Sequence, residues 1–309
     1  MPAFTCRLLL FLCLAACLPP AAFPDEPVNG PLAQARDSYL PGPTLGNLVL
    51  TYEGESEFDN GASGFGSVSV SVRELALNAL APLILKPEWK LGTGLGLRAY
   101  HFSFSSPRLN NKDTYTLNLP LGLWTRLSEK WTLAGMLAPS VYTDFENTEI
   151  DDCRFAGIAM ANYKWTPDLT LSMGASYSRV FGGDLFFPVA GLVWNPDPEW
   201  RVSLSFPRPS IWYAPAPRLR FTAWFTPAGS EWGITENLDG RERELNFLFK
   251  GWRTGASVEI GLAPHLNLEI AGGAAFKRRY ELSDRDADES IFASDVNSTW
   301  FVQTGLIIR

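Results

Sequence analysis

The sequence predicts an all-β fold, a transmembrane, antiparallel, up-and-down β-barrel of about 14 strands. Three observations lead to this prediction. A short phrase of turn and strand residues recurs along the chain, short connections alternate with long ones, and the runs between them alternate apolar with polar residues. No apolar stretch of helical period is longer than two turns, which favours sheet throughout.

The recurring phrase is a Pro- or Ser-bearing turn followed by Glu-Trp or a similar pair, which opens an alternating run. Its copies are separated by 31 to 42 residues, about the length of two strands, so the repeating unit is a β-hairpin. The six copies begin at Glu88, Lys130, Asp168, Glu199, Glu231 and His265.

Between these six short turns the sequence predicts seven longer connections that are acidic or rich in Gly and Pro. Thirteen connections join fourteen strands, and all the short ones then lie on one side. This sorting is typical of outer-membrane barrels, which have short periplasmic turns and longer outer loops. The longer connections are 53–66, 106–113, 147–152, 182–184, 207–217, 237–244 and 283–297.

The predicted strands show the period of two that a barrel in lipid requires, with apolar side chains facing out at every second residue. Clear runs are 115–126, 252–262 and 300–309. In the last run, Trp300, Val302 and Leu306 alternate with Gln303, Gly305 and Arg309. The alternation changes parity at Arg73 and Glu74, which indicates a β-bulge.

Tryptophan collects beside the short turns, where an indole can bury its ring in acyl chains and keep its N–H at the headgroups. The predicted periplasmic girdle consists of Trp89, Trp131, Trp165, Trp194, Trp200 and Trp232. A second girdle is expected at the opposite strand ends, from Tyr100, Phe102, Tyr142, Phe145, Tyr177, Phe181 and Tyr280.

The N-terminal segment predicts export. Arg7 precedes the apolar run 8–18, and small residues follow, so residues 1–22 are expected to be a signal peptide cleaved near Ala22. A second possibility is a lipoprotein, because residues 14–17 spell a lipidation box ending in Cys17. Residues 23–44 hold five prolines and are expected to form an extended periplasmic linker, with the barrel occupying 45–309.

If the apolar positions face lipid, the opposite positions line the lumen, and most of the charges there are basic. The predicted lumen-lining residues are Arg98, Arg126, Lys164, Arg201, Arg220, Arg253, Glu259, Glu269 and Lys277. One interpretation is a passive, narrow channel that favours anions, in which reversing Arg126 and Arg253 moves selectivity toward cations. The other is a closed structural surface barrel whose lumenal arginines pair with inward-folded acidic loops.

An enzymatic alternative rests on His101 and Ser103, which a strand places on one face about 7 Å apart. A carboxylate from a neighbouring strand would complete an outer-leaflet lipid hydrolase. We expect a passive protein rather than an enzyme, without cofactor or metal. Asp284, Asp286 and Asp288 have the spacing of a calcium loop but lack its glycine and distal glutamate.

The hairpin repeat, the 187–194 strand and the 272–276 strand together resemble an uncharacterised family of Gram-negative outer-membrane β-barrel proteins, a domain of unknown function, over about residues 45 to 309. The resemblance implies a bacterial outer-membrane location with lipid, lipopolysaccharide and the barrel assembly machinery as partners, but no activity. The final Ile307, Ile308 and Arg309 depart from the aromatic terminus such barrels commonly carry. Without the signal peptide the net charge is −8, which excludes nucleic acid as an expected partner, and the oligomeric state stays open.

Overall fold

The chain forms one antiparallel sheet that closes on itself. The computed structural model describes residues 44–59, 68–106, 110–179, 181, 183–238, 241–285 and 290–309. The sheet order runs from β13 down to β6, then through β4, β3, β2 and β1 to β16 and β14, and β14 pairs with β13 to complete the ring. The only helical element in the described part is a 3-10 turn, Ile150–Asp152.

The described residues form sixteen strand segments of this ring. They are β1 (Gly46–Glu57), β2 (Ser69–Leu85), β3 (Trp89–Phe104), β4 (Lys112–Asn118), β5 (Leu121–Arg126), β6 (Trp131–Thr143), β7 (Cys153–Lys164), β8 (Leu169–Ser178), β9 (Leu185–Trp194), β10 (Trp200–Ser203), β11 (Ser210–Ala216), β12 (Leu219–Leu238), β13 (Arg241–Ala263), β14 (Leu266–Asp284), β15 (Ser290–Val296) and β16 (Thr299–Ile308).

Two pairs of these segments are halves of one barrel strand. β4 and β5 both lie between β3 and β6 and are separated at Leu119 and Pro120, because proline has no N–H to donate to the ladder. β15 and β16 both pair with β14. The ring therefore has fourteen strands, and the predicted all-β barrel is confirmed.

Short turns lie at one end of the barrel and longer connections at the other, which we call the short-turn end and the loop end. Five of the six predicted short turns are where the sequence indicates. The remaining short turn, the fifth in chain order, is at 217–218 between β11 and β12. The prediction of a turn before Glu231 is wrong, because Glu231 lies inside β12. Residues 210–216, predicted as loop, are strand β11.

The wall alternates in exposure as the sequence predicts. In β16, Trp300 and Val302 are 54% and 51% exposed, whereas Phe301 between them is 1% exposed. The predicted bulge at Arg73 and Glu74 is wrong, since β2 pairs with β3 in unbroken register from Val70 to Pro82. Glu74 simply faces inward. The alternation of apolar and polar residues changes parity here because the inward-facing residues before Glu74, Val70 and Val72, are apolar.

The ring narrows at the loop end. Thr143 at the end of β6 forms a parallel bridge with Gly233 of β12, and the Asp144 N–H donates to the Gly233 carbonyl at 3.1 Å. Asp144 Oδ2 in turn accepts from the Thr235 N–H at 2.6 Å. Contact between β6 and β12 closes a nine-strand ring of β6, β4, β3, β2, β1, β15, β14, β13 and β12, from which β7–β11 are excluded.

Apolar side chains fill this nine-strand ring. Tyr100 and Phe102 of β3 meet Trp232 of β12 with ring centroids 5.2 and 6.1 Å apart, and Phe102 lies 5.0 Å from Phe247. No member of the cluster comes from the described residues of β7–β11. The cluster comprises Phe58, Val68, Val70, Val72, Tyr100, Phe102, Tyr142, Trp232, Ile234, Leu245, Phe247, Phe249, Tyr280 and Val296.

This aromatic cluster corrects part of both predicted girdles. Trp232 is fully buried inside the barrel and donates its indole N–H to Thr116 Oγ1 at 3.0 Å, so it is not an interface residue. Tyr100, Phe102, Tyr142 and Tyr280 are likewise interior. The other predicted periplasmic tryptophans, Trp89, Trp131, Trp165, Trp194 and Trp200, all lie at strand ends on the short-turn side.

The N-terminal predictions fall mostly on residues whose structure is not described. Residues 1–22, including Cys17, and all of the linker except Thr44 lie outside the described residues. Within the described part, the chain contains no helix with the length and hydropathy of a membrane span.

Candidate functional site: the barrel interior

A network of buried charges crosses the middle of the barrel. Arg253 of β13 donates from Nε to Glu53 Oε1 at 2.7 Å and from Nη1 to Glu74 Oε2 at 2.6 Å. Arg278 and Arg98 extend the network, to Glu53 at 3.1 Å and to Glu74 at 3.2 Å. Both glutamates are strand residues of β1 and β2, so Arg253 joins opposite walls of the barrel.

Sequence reasoning missed three members of this network. Glu53 was assigned to a loop and Glu74 to a bulge, although both face inward. Lys277 was placed in the lumen, but a bulge between β13 and β14 gives it a φ of 49° and an exposed side chain. The neighbouring Arg278 takes the inward position and is 1% exposed. A lone inserted residue in a strand leaves no pattern in a single sequence that would have revealed this exchange.

The predicted lumenal residues of the short-turn end form a separate group. Glu259 of β13 is ion-paired with Arg220 and, at 2.8 Å, with Arg309. Glu269 is half-buried opposite Glu259 in the β13–β14 register. Arg201 donates to Asn195 Oδ1 at 3.0 Å, Arg126 is exposed and donates to the Ser128 carbonyl at 3.3 Å, and Lys164 is half-buried at the end of β7.

The region between β12 and the inner face of β7–β11 lies beside the filled nine-strand ring, and we call it the crescent. At the loop end Arg179, which follows β8, reaches across it to Glu231 of β12 at 2.9 Å and to Asp184 at 3.1 Å. Arg179 also lies over the Tyr142 ring, 5.7 Å from its centroid. These contacts connect the loop end of β7–β9 to the nine-strand ring.

The wall itself is incomplete next to the crescent. β10 and β11 are only 4 and 7 residues long. No described strand therefore bridges the loop-end parts of β9 and β12. Phe181 occupies this position and contacts Phe187 on the inner face at 5.5 Å and Trp252 on the outer face at 5.3 Å. Phe206 packs on Phe187 from the 204–209 segment, with centroids 6.0 Å apart.

On the β6–β9 side of the crescent lies a cavity of about 220 Å³. Its apolar lining includes Met136, Ile158, Phe187, Val189 and Phe206, and Arg208 stands at its border. The Phe206 backbone N–H donates to the Ala190 carbonyl at 3.2 Å, so the segment 204–209 continues along β9, and the Arg208 N–H donates to the Ser205 carbonyl at 2.8 Å, which holds it in a turn beside the cavity. The interior thus combines an apolar wall with guanidinium groups.

The residues of the enzymatic alternative lie on the outside of β3. His101 Nδ1 is 2.6 Å from Asp113 Oδ1 on the adjacent strand β4, so a carboxylate does orient the imidazole. Among the described residues, no hydrogen bond joins His101 to Ser103. His101 and Ser103 therefore lie on one face of β3 as predicted, but the Ser103 hydroxyl is not hydrogen-bonded to the imidazole.

The loop end carries a second ionic group. Arg285 contacts Asp152 at 2.6 Å, Glu149 at 3.2 Å and Glu244 at 3.5 Å. Desolvation and the adjacent Glu149 carboxylate raise the pKa of Glu244 above its ordinary value, against the opposing effect of Arg285. Asp286 and Asp288 of the calcium-like run lie outside the described residues, and no cluster able to hold a metal occurs among the described side chains.

These features define a class: a closed, fourteen-strand antiparallel barrel with an apolar outer surface and a charged, partly filled interior. The chain matches the family model described as Domain of unknown function (DUF6268) over residues 79–309. Because this match covers well over half of the chain, the protein belongs to that family, and the resemblance to an uncharacterised barrel family is confirmed. No curated protein sequence matches the chain significantly.

Several solved outer-membrane barrels are similar to the chain. An outer membrane channel from Pseudomonas putida F1 has 13% identity and a TM-score of 0.42, covering 89% of this chain and 99% of its own. The Pseudomonas putida toluene transporter TodX has 12% identity and a TM-score of 0.35, covering 86% and 90%. The NanC porin has 8% identity and a TM-score of 0.37, covering 85% and 99%. At these values the likeness assigns no solute to this chain.

Proposed function

We propose that the protein is a passive, narrow channel of the bacterial outer membrane, and that solutes cross it through the crescent between β12 and β7–β11. One observation carries the proposal. The nine-strand ring at the loop end is filled by a buried aromatic cluster, whereas the β7–β11 side contributes nothing to that cluster and retains a cavity. A fourteen-strand barrel is wide enough to leave a passage unless its interior is obstructed.

Charge in the middle of the barrel favours anions in this crescent. Arg98, Arg208, Arg253 and Arg278 supply four guanidinium groups near two carboxylates, Glu53 and Glu74. Arg253 and Arg278 are engaged and buried, while the Arg98 side chain stays 40% exposed. Permeant anions therefore meet an excess of positive charge contributed by the exposed groups.

Single-channel recording in planar bilayers tests the route. Glu231→Gln removes the ion pair with Arg179 that spans the crescent, so conductance is expected to rise, and the reversal potential in a salt gradient is expected to favour anions. The matched control is Glu236→Gln, which makes the same charge change on the same strand but inside the nine-strand ring, where Glu236 pairs with Lys112. Equal conductance in wild type and both variants contradicts the crescent route.

The predicted signal peptide supports the proposed location. We infer that residues 1–22 direct the chain across the inner membrane, that 23–44 remain in the periplasm, and that the assembly machinery inserts the barrel among outer-membrane lipid and lipopolysaccharide. Mass spectrometry of the mature protein identifies its N-terminus. A start near Phe23 supports the signal peptide, whereas an acylated Cys17 at the N-terminus supports the lipoprotein alternative.

A second candidate, an outer-leaflet lipid hydrolase, is favoured by the 2.6 Å contact between His101 and Asp113. An oriented imidazole is the general base that a serine nucleophile requires. Release of fatty acid from lipid A or phospholipid, abolished by both His101→Ala and Ser103→Ala, would establish it. Unchanged conductance in these variants is expected if the chain is only a channel.

A further inference from the structure

We propose that the cavity beneath the 204–209 segment binds a small amphipathic monoanion, namely one apolar ring or short chain that carries one carboxylate. The inference rests on the proposed function, since it names the solute class for which the crescent is built. It is drawn from the shape of the cavity, its apolar lining and the charge at its border.

Apolar side chains from three strands line most of the cavity, and β8 adds two serine side chains. Met136 of β6, Ile158 of β7 and Phe187 and Val189 of β9 face the cavity from the barrel wall, and Phe206 covers it from the 204–209 segment. Apolar pockets with a few polar groups are the usual form of a small-molecule site. An apolar cavity of about 150 Å³ is large enough for benzene. At about 220 Å³, this cavity has room for one such ring and a carboxylate.

The polar border of the cavity is cationic. The Arg208 side chain is exposed to the interior, and no described carboxylate lies within 4.0 Å of its guanidinium group. Arg98 lies close enough for the two positive charges to repel one another. A bound carboxylate between them would relieve this repulsion and accept paired N–H donors from Arg208.

This combination excludes other solute classes. A cation would be repelled by the Arg208 guanidinium, which has no described carboxylate partner, and by the partly exposed Arg98. A neutral ring would fill the apolar part but leave the guanidinium group without its anion. A strongly hydrated inorganic anion would gain nothing from Phe187 and Phe206 and would lose its water.

Isothermal titration of the full-length, detergent-solubilised protein with benzoate tests the site. We expect saturable binding of one benzoate, at least tenfold weaker binding of the neutral isostere benzyl alcohol, and at least a tenfold loss of benzoate affinity in Arg208→Gln. Arg208→Lys retains the charge and is expected to recover part of that affinity. Lys130→Gln removes an equal charge in the exposed turn between β5 and β6 at the short-turn end and serves as the matched control, with unchanged affinity.

Equal affinity for benzoate and benzyl alcohol, or unchanged benzoate affinity in Arg208→Gln, overturns the inference. The same preparations in planar bilayers separate it from the channel proposal. A barrel that binds benzoate through Arg208 but passes no current retains the binding site and refutes the channel. A barrel that conducts ions but binds no benzoate retains the channel and refutes the site.

Discussion

Replacing Trp232 by alanine tests how the interior is divided. The indole is fully buried, touches Tyr100 and Phe102, and donates a hydrogen bond to Thr116. Truncation of a buried aromatic side chain costs about 3–5 kcal/mol. Leaving the Thr116 hydroxyl without its donor adds about 1 kcal/mol. We expect the free energy of unfolding to fall by about 4–6 kcal/mol, the sum of these two contributions.

Conductance should nevertheless stay unchanged in Trp232→Ala. The space vacated is lined by aromatic rings from opposite strands, and a small apolar cavity of this kind stays dry. Ions therefore gain no path through the nine-strand ring. Trp232→Phe is the matched control, since it keeps a ring in place, loses the hydrogen bond, and is expected to cost about 1–2 kcal/mol.

Two measurements check this prediction, namely urea unfolding of the barrel in lipid vesicles and single-channel recording of the same variants. Higher conductance in Trp232→Ala would show that solutes pass through the nine-strand ring, and the crescent route would be refuted. An unchanged free energy of unfolding would show that Trp232 does not hold the ring together.

Three further variants probe the loop end and the charge network. Gly233→Ala places a Cβ against the side-chain ends of Arg285 and Asp152, so their ion pair is expected to weaken, which should appear as faster amide hydrogen exchange at 150–152. Arg253→Met leaves Glu53 and Glu74 with one partner each, Arg278 and Arg98, and should cost about 3–5 kcal/mol in urea unfolding. The pKa of Glu244 is raised, so its carboxyl group holds a proton more tightly in the folded than in the unfolded protein. The contribution of this group to stability is therefore present at low pH and is lost as pH rises through the raised pKa. Glu244→Gln should remove this dependence from urea unfolding measured between pH 4 and pH 8, and a slope unchanged by the substitution would contradict it.

The wall of the barrel was predictable because its physics is local. The sequence shows apolar residues at a period of two and turn residues at regular spacing. Trp300 and Val302 face outward as expected. The interior was less predictable, because the loop-end half is apolar inside as well as outside. Val70 and Phe102 therefore carry the signal of a lipid-facing residue while lying in the core.

The ionic partners escaped prediction for a related reason. Glu53 meets Arg253 across 200 positions of sequence, and only the closed ring brings them together. Reversal of Arg253, expected from sequence to alter selectivity alone, would place a third carboxylate beside Glu53 and Glu74. The sequence predicts a loop at Arg208, and nothing in its neighbours indicates that this loop borders a cavity.

The bridge between Thr143 and Gly233 also bears on the order in which the barrel assembles. Strands β7–β11 are joined by short-range hairpins, whereas this bridge joins residues 90 positions apart and encloses all five of those strands between its ends. Contacts at such separation carry a large loop-closure entropy and form late. The aromatic cluster that depends on the bridge should then become protected from hydrogen exchange after the β7–β11 hairpins have formed.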